Sequence, residues 1–259
     1  MNLRRLRDFA LDLADAADRL SLSHFADPGQ ARTKGDGSPV TEADRQVEQA
    51  LRERITAAWP GHAIMGEEHG GVLAPDKPTW VLDPIDGTKN FLRGVPVFAT
   101  LIAVVVGGHA VVGVVSAPAM GERWDAARSL GVRRNSEAVT VSAVDQLSQA
   151  HLLHGGLEWF RRRSGMWEVL GALADIAWRT RGFGDFWMHL LVAGGMADVA
   201  IEAELRPWDV AALECIVEEA GGRLTAFDGS PVIGSGEALA TNGLLHDELV
   251  TRLSGRGSG

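Results

Sequence analysis

The spacing of apolar residues predicts two helices near the N-terminus. Leucine and alanine recur at positions 3, 6, 10, 13, 17 and 20 with charged residues between them, which is the period of an amphipathic helix over residues 3–25. A segment rich in Gly, Pro and Asp at 27–39 predicts a polar, turn-rich loop. A second helix is predicted near 41–58, with Thr41 as its cap.

A long apolar run follows, from residue 95 to residue 119, and His109 is its only ionisable group. Two central glycines, a proline near each end and many β-branched residues favour a buried β-hairpin over a membrane-spanning helix. The predicted strands of the hairpin are 97–106 and 110–116, and we expect no membrane partner. Further strands in this half are predicted near 62–66, 79–83, 122–128 and 138–142.

From about residue 150 strands and helices alternate, which is typical of an α/β fold. Strands are predicted near 150–154, 176–181, 197–202, 222–227 and 237–241. Helices are predicted near 157–173, 185–195, 208–220 and 244–254. We expect two sheets flanked by helices, in two closely packed halves at 1–142 and 143–254, and a flexible tail at 255–259.

The charge balance restricts the partners that the chain can have. Thirty-four acidic and 25 basic residues give a net charge of −9, which leaves no extended basic surface for nucleic acid. The single cysteine, Cys215, excludes an intrachain disulfide and a Cys-rich zinc site. A reducing cytoplasm is the expected compartment, since the N-terminal helix pattern also lacks the continuous apolar stretch of a signal peptide.

Several enzyme classes lose support because their motifs are absent. The chain contains no GxxxxGK[ST], GxSxG or HExxH motif, and no GxGxxG follows a predicted strand. These absences argue against NTPase, α/β-hydrolase, zincin and dinucleotide-binding functions. The surplus of acidic residues indicates either cation binding or simple solubility, and only the placement of the acids distinguishes the two.

One acidic segment combines features of a metal site and of a phosphate site. An apolar strand ends at Asp83, Pro84 interrupts its pairing, and Asp86 begins a turn into a short helix near Thr88. Asp83, Asp86 and the Ile85 carbonyl offer three hard oxygen ligands, a set that suits Mg²⁺. The amides of Gly87, Thr88 and Lys89 at the helix start favour a phosphate group. The alternative is an ordinary Asp-Pro-x-Asp-Gly turn with a helix cap.

Two other acidic positions fall at the ends of predicted elements. Glu67 and Glu68 follow a short strand, and Asp209 lies at the start of a helix. Taken singly, Glu67 is more often a solvated surface acid and Asp209 more often a helix cap. Acidic residues at the ends or starts of three predicted elements are better explained by a shared metal-binding cleft than by three unrelated surface or capping roles.

These motifs resemble those of the inositol-monophosphatase-like phosphatases. The resemblance covers nearly the whole chain in order: Pro39–Asp44, Gly66–Glu68, Asp83–Phe91 and Trp208-Asp209 ahead of Glu219–Gly222. Leu213 departs from the pattern, since the family usually has a small residue there. The resemblance implies a layered αβαβα sandwich, usually a homodimer, that hydrolyses a small phosphate ester with two to three Mg²⁺ ions.

The resemblance also implies roles for individual residues. The first metal would be held by Glu67, Asp83 and the Ile85 carbonyl, and the second by Asp83, Asp86 and Asp209. The Gly87 and Thr88 amides would hold phosphate, and Thr88 with Asp44 would polarise the attacking water, with Glu67 as a further catalytic residue. Asp44 has an alternative as the partner of Thr41 in a capping box. The expected attack is by a metal-bound water in line on phosphorus, and it needs no covalent intermediate. Asp83 and Asp86 lack the Asp-x-Asp spacing of a haloacid-dehalogenase-type nucleophile, which argues against that class.

The expected substrate rests on the acids around the leaving group. Gly184-Asp185 resembles the variant found in histidinol-phosphate phosphatases of this superfamily, and Glu202 lies at the family spacing before Asp209. Carboxylates there suit the cationic L-histidinol phosphate better than a neutral polyol. Arg181 is a candidate for steering phosphate, or else an ion-pair partner of Asp185. Inositol 1-phosphate, a 3′(2′),5′-bisphosphate nucleotide and a non-catalytic metal-binding module stay as alternatives.

Overall fold

The computed structural model describes residues 1–25, 32–33 and 39–254. The predicted tail at 255–259 lies outside these residues, as does most of the predicted loop at 27–39. In the described part of the chain the helices are α1 (Leu3–Phe25), α2 (Glu42–Ala58), α3 (Thr88–Leu92), α4 (Leu157–Arg162), α5 (Met166–Ile176), α6 (Asp185–Ala193), α7 (Pro207–Glu219) and α8 (His246–Ser254).

The strands belong to three sheets. The described strands are β1 (Arg32–Thr33), β2 (Pro39–Val40), β3 (Ala63–Gly66), β4 (Thr79–Asp86), β5 (Ala99–Val106), β6 (His109–Ala117), β7 (Glu122–Ala127), β8 (Gly131–Arg134), β9 (Glu137–Ala138), β10 (His151–His154), β11 (Arg179–Gly182), β12 (Val199–Ala203), β13 (Arg223–Thr225) and β14 (Glu237–Thr241). Strands β1 and β2 pair with each other, β3 to β9 form a seven-stranded sheet in chain order, and the third sheet has the order β11-β10-β12-β14-β13.

The two large sheets contain both parallel and antiparallel pairs. In the seven-stranded sheet β3 is parallel to β4, and the other neighbours are antiparallel. In the five-stranded sheet β10 is parallel to both β11 and β12, whereas β14 is antiparallel to β12 and β13. The seven-stranded sheet is therefore antiparallel except for the pair of β3 and β4.

Helices and sheets pack in five layers that are held together by three apolar clusters, so the αβαβα sandwich is confirmed. Helices α1 and α2 cover one face of the seven-stranded sheet, where Leu13 and Leu51 pack with Trp80. Helices α6 and α7 fill the space between the two large sheets. Helices α4, α5 and α8 cover the outer face of the five-stranded sheet. Each proposed half, 1–142 and 143–254, contains one large sheet.

Most predicted elements are found, and several of the strands need correction. Strand β4 continues to Asp86: its pairing with β5 is lost after Asp83 and returns at Asp86, while the Thr100 hydroxyl donates to the Pro84 carbonyl at 2.8 Å. The strand predicted near 138–142 is limited to β9. Strand β8 was not predicted, although Gly131 and Asn135, both with positive φ, mark its two ends.

The helix predicted over 157–173 is two helices. Arg163 has an extended backbone and ends α4, and Gly165, with φ of 75°, caps the start of α5. Because α5 then runs to Ile176, the strand predicted from 176 begins only at Arg179. The apolar segment at 95–119 forms the predicted hairpin β5–β6, and in the described residues no helix is long and apolar enough to cross a bilayer.

Candidate active site

A cavity of about 360 Å³ brings together residues from β4, β12 and the first turns of α3, α6 and α7. The lining residues that the sequence predicted are Glu67, Asp83, Ile85, Asp86, Gly87, Thr88, Lys89, Gly184, Asp185, Glu202 and Asp209. The lining residues that it missed are Gly156, Glu158, Trp159, His189, Ala203, Glu204, Leu205 and Leu213. The acids from both halves of the chain therefore share one hollow.

Three carboxylates converge at the bottom of this cavity. Asp83, Asp86 and Asp209 each offer an oxygen, and these oxygens lie within 4.8 Å of one another. The Asp83 Oδ1 atom is buried and has no hydrogen-bond partner among the described residues. Hard carboxylate oxygens are the ligands preferred by Mg²⁺ and Ca²⁺, so the three side chains fit a divalent cation.

The electrostatics of these acids support the same interpretation. Burial, followed by the charges of Glu67, Asp86 and Asp209, raises the pKa of Asp83 well above its ordinary value. Burial likewise raises the pKa of Asp86, and it is the main cause that raises the pKa of Asp209 to about 7. Neighbouring carboxyls resist simultaneous ionisation, and a bound cation removes that resistance.

Asp209 combines the two roles that the sequence left open. It is the third residue of α7, and its Oδ2 accepts the Arg206 N–H at 2.7 Å in a capping box. The side chain also lines the cavity and contributes to the carboxylate triad. The helix cap therefore holds the carboxylate in place at the cavity wall.

Asp86 and Gly87 turn the chain from β4 into α3. The Phe186 N–H donates to Asp86 Oδ2 at 2.6 Å, which joins the end of β4 to the start of α6. Gly87 has φ of 82°, and a Cβ there would lie 2.9 Å from the Val97 carbonyl oxygen. The turn therefore requires glycine at this position, both for its conformation and for the close approach of β5's leading segment.

Thr88 lies between the cavity and the buried Asp44. Its hydroxyl donates to the Ile85 carbonyl at 3.0 Å and is 3.4 Å from Asp44 Oδ1. The Thr41 N–H donates to Asp44 Oδ2 at 2.8 Å, and the Asp44 N–H donates to the Thr41 hydroxyl, so the expected capping box is present. Asp44 does not itself line the cavity. Its contact with Thr88 is compatible with both expectations.

Asp185 and Glu202 lie next to each other in the cavity wall, close to the turn that contains Asp86 and Gly87. Asp185 has φ of 55°, a left-handed conformation that is costly outside glycine, and its N–H is 3.4 Å from Glu202 Oε1. The Asn90 amide donates to Asp185 Oδ2 at 3.2 Å. Burial first, and then the charge of Glu202, raises the pKa of Asp185 to about 6, while Lys89 opposes the shift.

The wall around Glu202 contains features that the sequence analysis missed. His189 is buried, its Nε2 lies 3.4 Å from Glu202 Oε2, and its Nδ1 has no partner among the described residues. A Cβ at Gly155 would lie 2.5 Å from Glu202 Oε1, and one at Gly156 would lie 2.7 Å from Glu158 Oε1, so the glycine pair makes room for two carboxylates of the wall. That glycine pair directly before α4 is the signal in the sequence that marks the missed wall.

Arg181 is the one predicted site residue that the structure keeps away from the cavity and its neighbours. It lies on β11 at the edge of the five-stranded sheet, is exposed, and donates from Nη1 to the Thr180 carbonyl at 2.8 Å. It is not among the lining residues. The edge position of β11 explains this, because the cavity is built from the interior strand β12 of the same sheet.

Comparison with known proteins agrees with the fold and the motifs. A sequence profile of the inositol monophosphatase family matches residues 2–257. The histidinol-phosphatase of Mycobacterium tuberculosis is 47% identical over 251 residues, covering 95% of this chain and 96% of that protein. The histidinol-phosphatase of Streptomyces coelicolor is 43% identical, covering 94% and 95%. The solved inositol monophosphatase from Anabaena has a TM-score of 0.85 at 31% identity, covering 98% and 97%.

Proposed function

Because the chain belongs to the inositol monophosphatase family, we propose that it is a Mg²⁺-dependent phosphomonoesterase whose substrate is L-histidinol phosphate. The observation that carries the choice of substrate is the pair of carboxylates, Asp185 and Glu202, in the wall of the acidic cavity. The 47% identity to a protein named histidinol-phosphatase supports the same choice.

The cavity would hold two to three Mg²⁺ ions in this proposal, and the cluster of Asp83, Asp86 and Asp209 supports a cation site there. Glu67, Asp83 and the Ile85 carbonyl would hold the first ion, and Asp83, Asp86 and Asp209 the second. When bound, the ions lower the pKa of water and stabilise the negative charge that builds up on the phosphate oxygens. The unpaired Asp83 Oδ1 and the carboxylate triad support this assignment.

Thr88 orients the attacking water in this proposal. Its hydroxyl proton is directed to the Ile85 carbonyl or to Asp44, which leaves the oxygen lone pairs able to accept a hydrogen bond from water. Asp44 holds Thr88 in that orientation. Gly87 and Thr88 line the cavity next to the triad, so their backbone amides would bind the phosphate beside the ions.

The leaving group distinguishes the candidate substrates. L-histidinol carries an ammonium group and an imidazole, whereas inositol is a neutral polyol, and buried carboxylates gain most from a cationic partner. Glu158 and Glu204 add two further acids to this wall, and Trp159 adds an aromatic surface beside them. This wall therefore suits a leaving group that is both cationic and aromatic.

A phosphate-release assay on three esters tests the proposal. Purified protein is incubated with L-histidinol phosphate, inositol 1-phosphate or adenosine 3′,5′-bisphosphate, each with Mg²⁺ or with EDTA. We expect release from L-histidinol phosphate with Mg²⁺ and none with EDTA. Faster release from inositol 1-phosphate, the substrate class of the Anabaena protein's name, would overturn the choice of substrate. No release from any ester by folded protein would favour the metal-binding module.

The chain is further proposed to form a homodimer. Trp178, which is 68% exposed, directly precedes the edge strand β11, and Trp167 and Ile176 are exposed nearby in the sequence. Light scattering coupled to size exclusion tests this, and a monomer mass at micromolar concentration would refute it.

A reducing compartment is proposed from the single, buried Cys215. Cell fractionation checks that assignment.

A further inference from the structure

A buried carboxylate outside the cavity lies directly behind the loop that carries Glu67. Glu48, on α2, has no exposed surface, and it does not line the cavity. Arg52, one turn further along α2, donates from Nε to Glu48 Oε1 at 2.6 Å. Burying a charged pair is costly unless further hydrogen bonds satisfy it, so its partners matter.

Those partners are the backbone amides that follow Glu67. Glu48 Oε2 accepts the Glu68 N–H at 2.6 Å, and Oε1 accepts the His69 N–H at 3.2 Å. Arg52 also donates from Nη2 to the Gly70 carbonyl. The pair therefore binds three consecutive residues of the loop through their backbone, whatever their side chains are.

The loop itself is a tight turn with Glu67 near its start. The Gly66 N–H donates to the Gly70 carbonyl at 3.0 Å, and the Glu67 N–H donates to the Leu82 carbonyl at 3.2 Å. A Cβ at Gly66 would lie 2.1 Å from Glu48 Oε1, so the glycine lets the carboxylate approach the turn. Glu67 is thus fixed by β4 on one side and by Glu48 on the other.

We infer that Glu48 is a positioning residue, which holds the 66–70 turn so that the Glu67 carboxylate is presented to the metal site. The inference rests on the proposed function in treating Glu67 as a Mg²⁺ ligand. Partners that orient a metal ligand change metal affinity, commonly by about 10- to 100-fold when they are removed. A purely structural role would change stability and leave the affinity for Mg²⁺ unaltered.

The substitution Glu48→Gln separates the two roles. Glutamine has the same shape but only one acceptor oxygen, so it loses one of the two amide contacts and places an N–H₂ group near a neighbouring donor. Glu53→Gln is the matched control, because Glu53 is an exposed residue on the same helix whose Oε1 accepts a hydrogen bond from the Gln49 side chain at 2.8 Å. Both variants are unfolded chemically in EDTA to measure their stability.

The primary measurement is Mg²⁺ binding by calorimetry in the absence of any ester. We expect about a tenfold weaker affinity for Glu48→Gln and an unchanged affinity for Glu53→Gln. In the phosphate-release assay the Mg²⁺ concentration for half-maximal rate should rise by the same factor, with kcat at saturating Mg²⁺ changed less than about twofold. An unchanged affinity together with lower stability would overturn the inference.

A second variant covers the case in which Glu48→Gln does not fold. Arg52→Lys keeps a positive charge beside Glu48, but a single ammonium group cannot reproduce the guanidinium contacts to both Glu48 and the Gly70 carbonyl. We therefore expect Mg²⁺ affinity to fall by about threefold. Full affinity in this variant, if Glu48→Gln is unfolded, would contradict the inference. If the wild-type protein releases no phosphate but its Mg²⁺ binding depends on Glu48, the proposed function fails and the positioning role stands.

Discussion

The carboxyls of the cavity are arranged for binding a cation rather than for the stability of the empty protein. Asp83 has its pKa raised first by burial and then by the charges of four other acids, Glu67, Asp86, Asp209 and Asp44. Each such group, when ionised, repels its neighbours across a short distance in a poorly solvated site. Removal of one charge should therefore raise the stability of the metal-free protein and lower the rate of phosphate release.

Asp209→Asn tests this opposition. The amide still accepts the Arg206 N–H through its oxygen, so the α7 cap is retained, but the second metal loses a charged ligand. We expect kcat to fall by about 10²- to 10³-fold and the melting temperature in EDTA at pH 8 to stay equal or rise. Retained activity would refute the metal assignment, and a lower melting temperature would refute the repulsion.

Asp185→Asn tests the choice of substrate at the cavity wall that contains Asp185 and Glu202. The neutral amide keeps the size of the side chain but removes the negative charge that would face the ammonium group of L-histidinol phosphate. We expect kcat/KM for L-histidinol phosphate to fall by about 10- to 100-fold and that for inositol 1-phosphate to change less than about threefold. Equal losses on both esters, measured by phosphate release, would remove the electrostatic reason for preferring the cationic substrate.

At the scale of elements, the sequence predicted the features that depend only on residues close together in the chain. Helix α1 and strand β14 have their predicted bounds, because apolar spacing alone determines them. Glu67, Asp83 and Asp209 were found because each ends or begins an element. Glu158 and Trp159 were missed because their place in the cavity depends on how α4 packs on the five-stranded sheet, which no local pattern encodes. The distance of Arg181 from the cavity could not be predicted for the same reason, since it depends on the strand order of the second sheet.

The turn between β4 and α3 gives a prediction at this scale. In Gly87→Ala, the new Cβ would meet the Val97 carbonyl in a backbone that already has positive φ, so we expect a loss of about 1–3 kcal/mol in unfolding free energy and loss of phosphate release. Gly94→Ala is the control, because Gly94 has φ of 71° but nothing lies within 4 Å of the added Cβ. Equal losses in urea unfolding would show that conformation alone matters.

For the whole molecule, the cavity is where acidic side chains from the two halves of the chain lie close enough to repel one another. Glu67, in the turn after β3, and Asp83 and Asp86, on β4, come from the first half of the chain. Glu202 and Asp209 come from the second half. Bound cations would cross-link these two sets of acids. The pH dependence of stability should therefore differ in sign between the protein with and without Mg²⁺.

Without metal, the sign follows from the raised pKa values. Asp209 has a pKa of about 7 and Asp185 of about 6 in the folded protein, against 3.8 for an ordinary aspartate. Between about pH 4 and pH 7 the folded state therefore binds more protons than the unfolded state, and this contribution to stability is lost as the pH rises. Mg²⁺ binds the ionised carboxylates, so its stabilisation grows over the same range.

Thermal unfolding from pH 5 to pH 8, in EDTA and in saturating Mg²⁺, measures both effects. We expect the melting temperature in EDTA to fall with pH relative to the Mg²⁺ series, so that the gap between the two widens towards pH 8. In Asp209→Asn the group with the higher of these two pKa values no longer titrates, and the decline in EDTA should be shallower above pH 6. Parallel curves with and without Mg²⁺ would mean that the acids of the cavity do not act as one cation-binding unit.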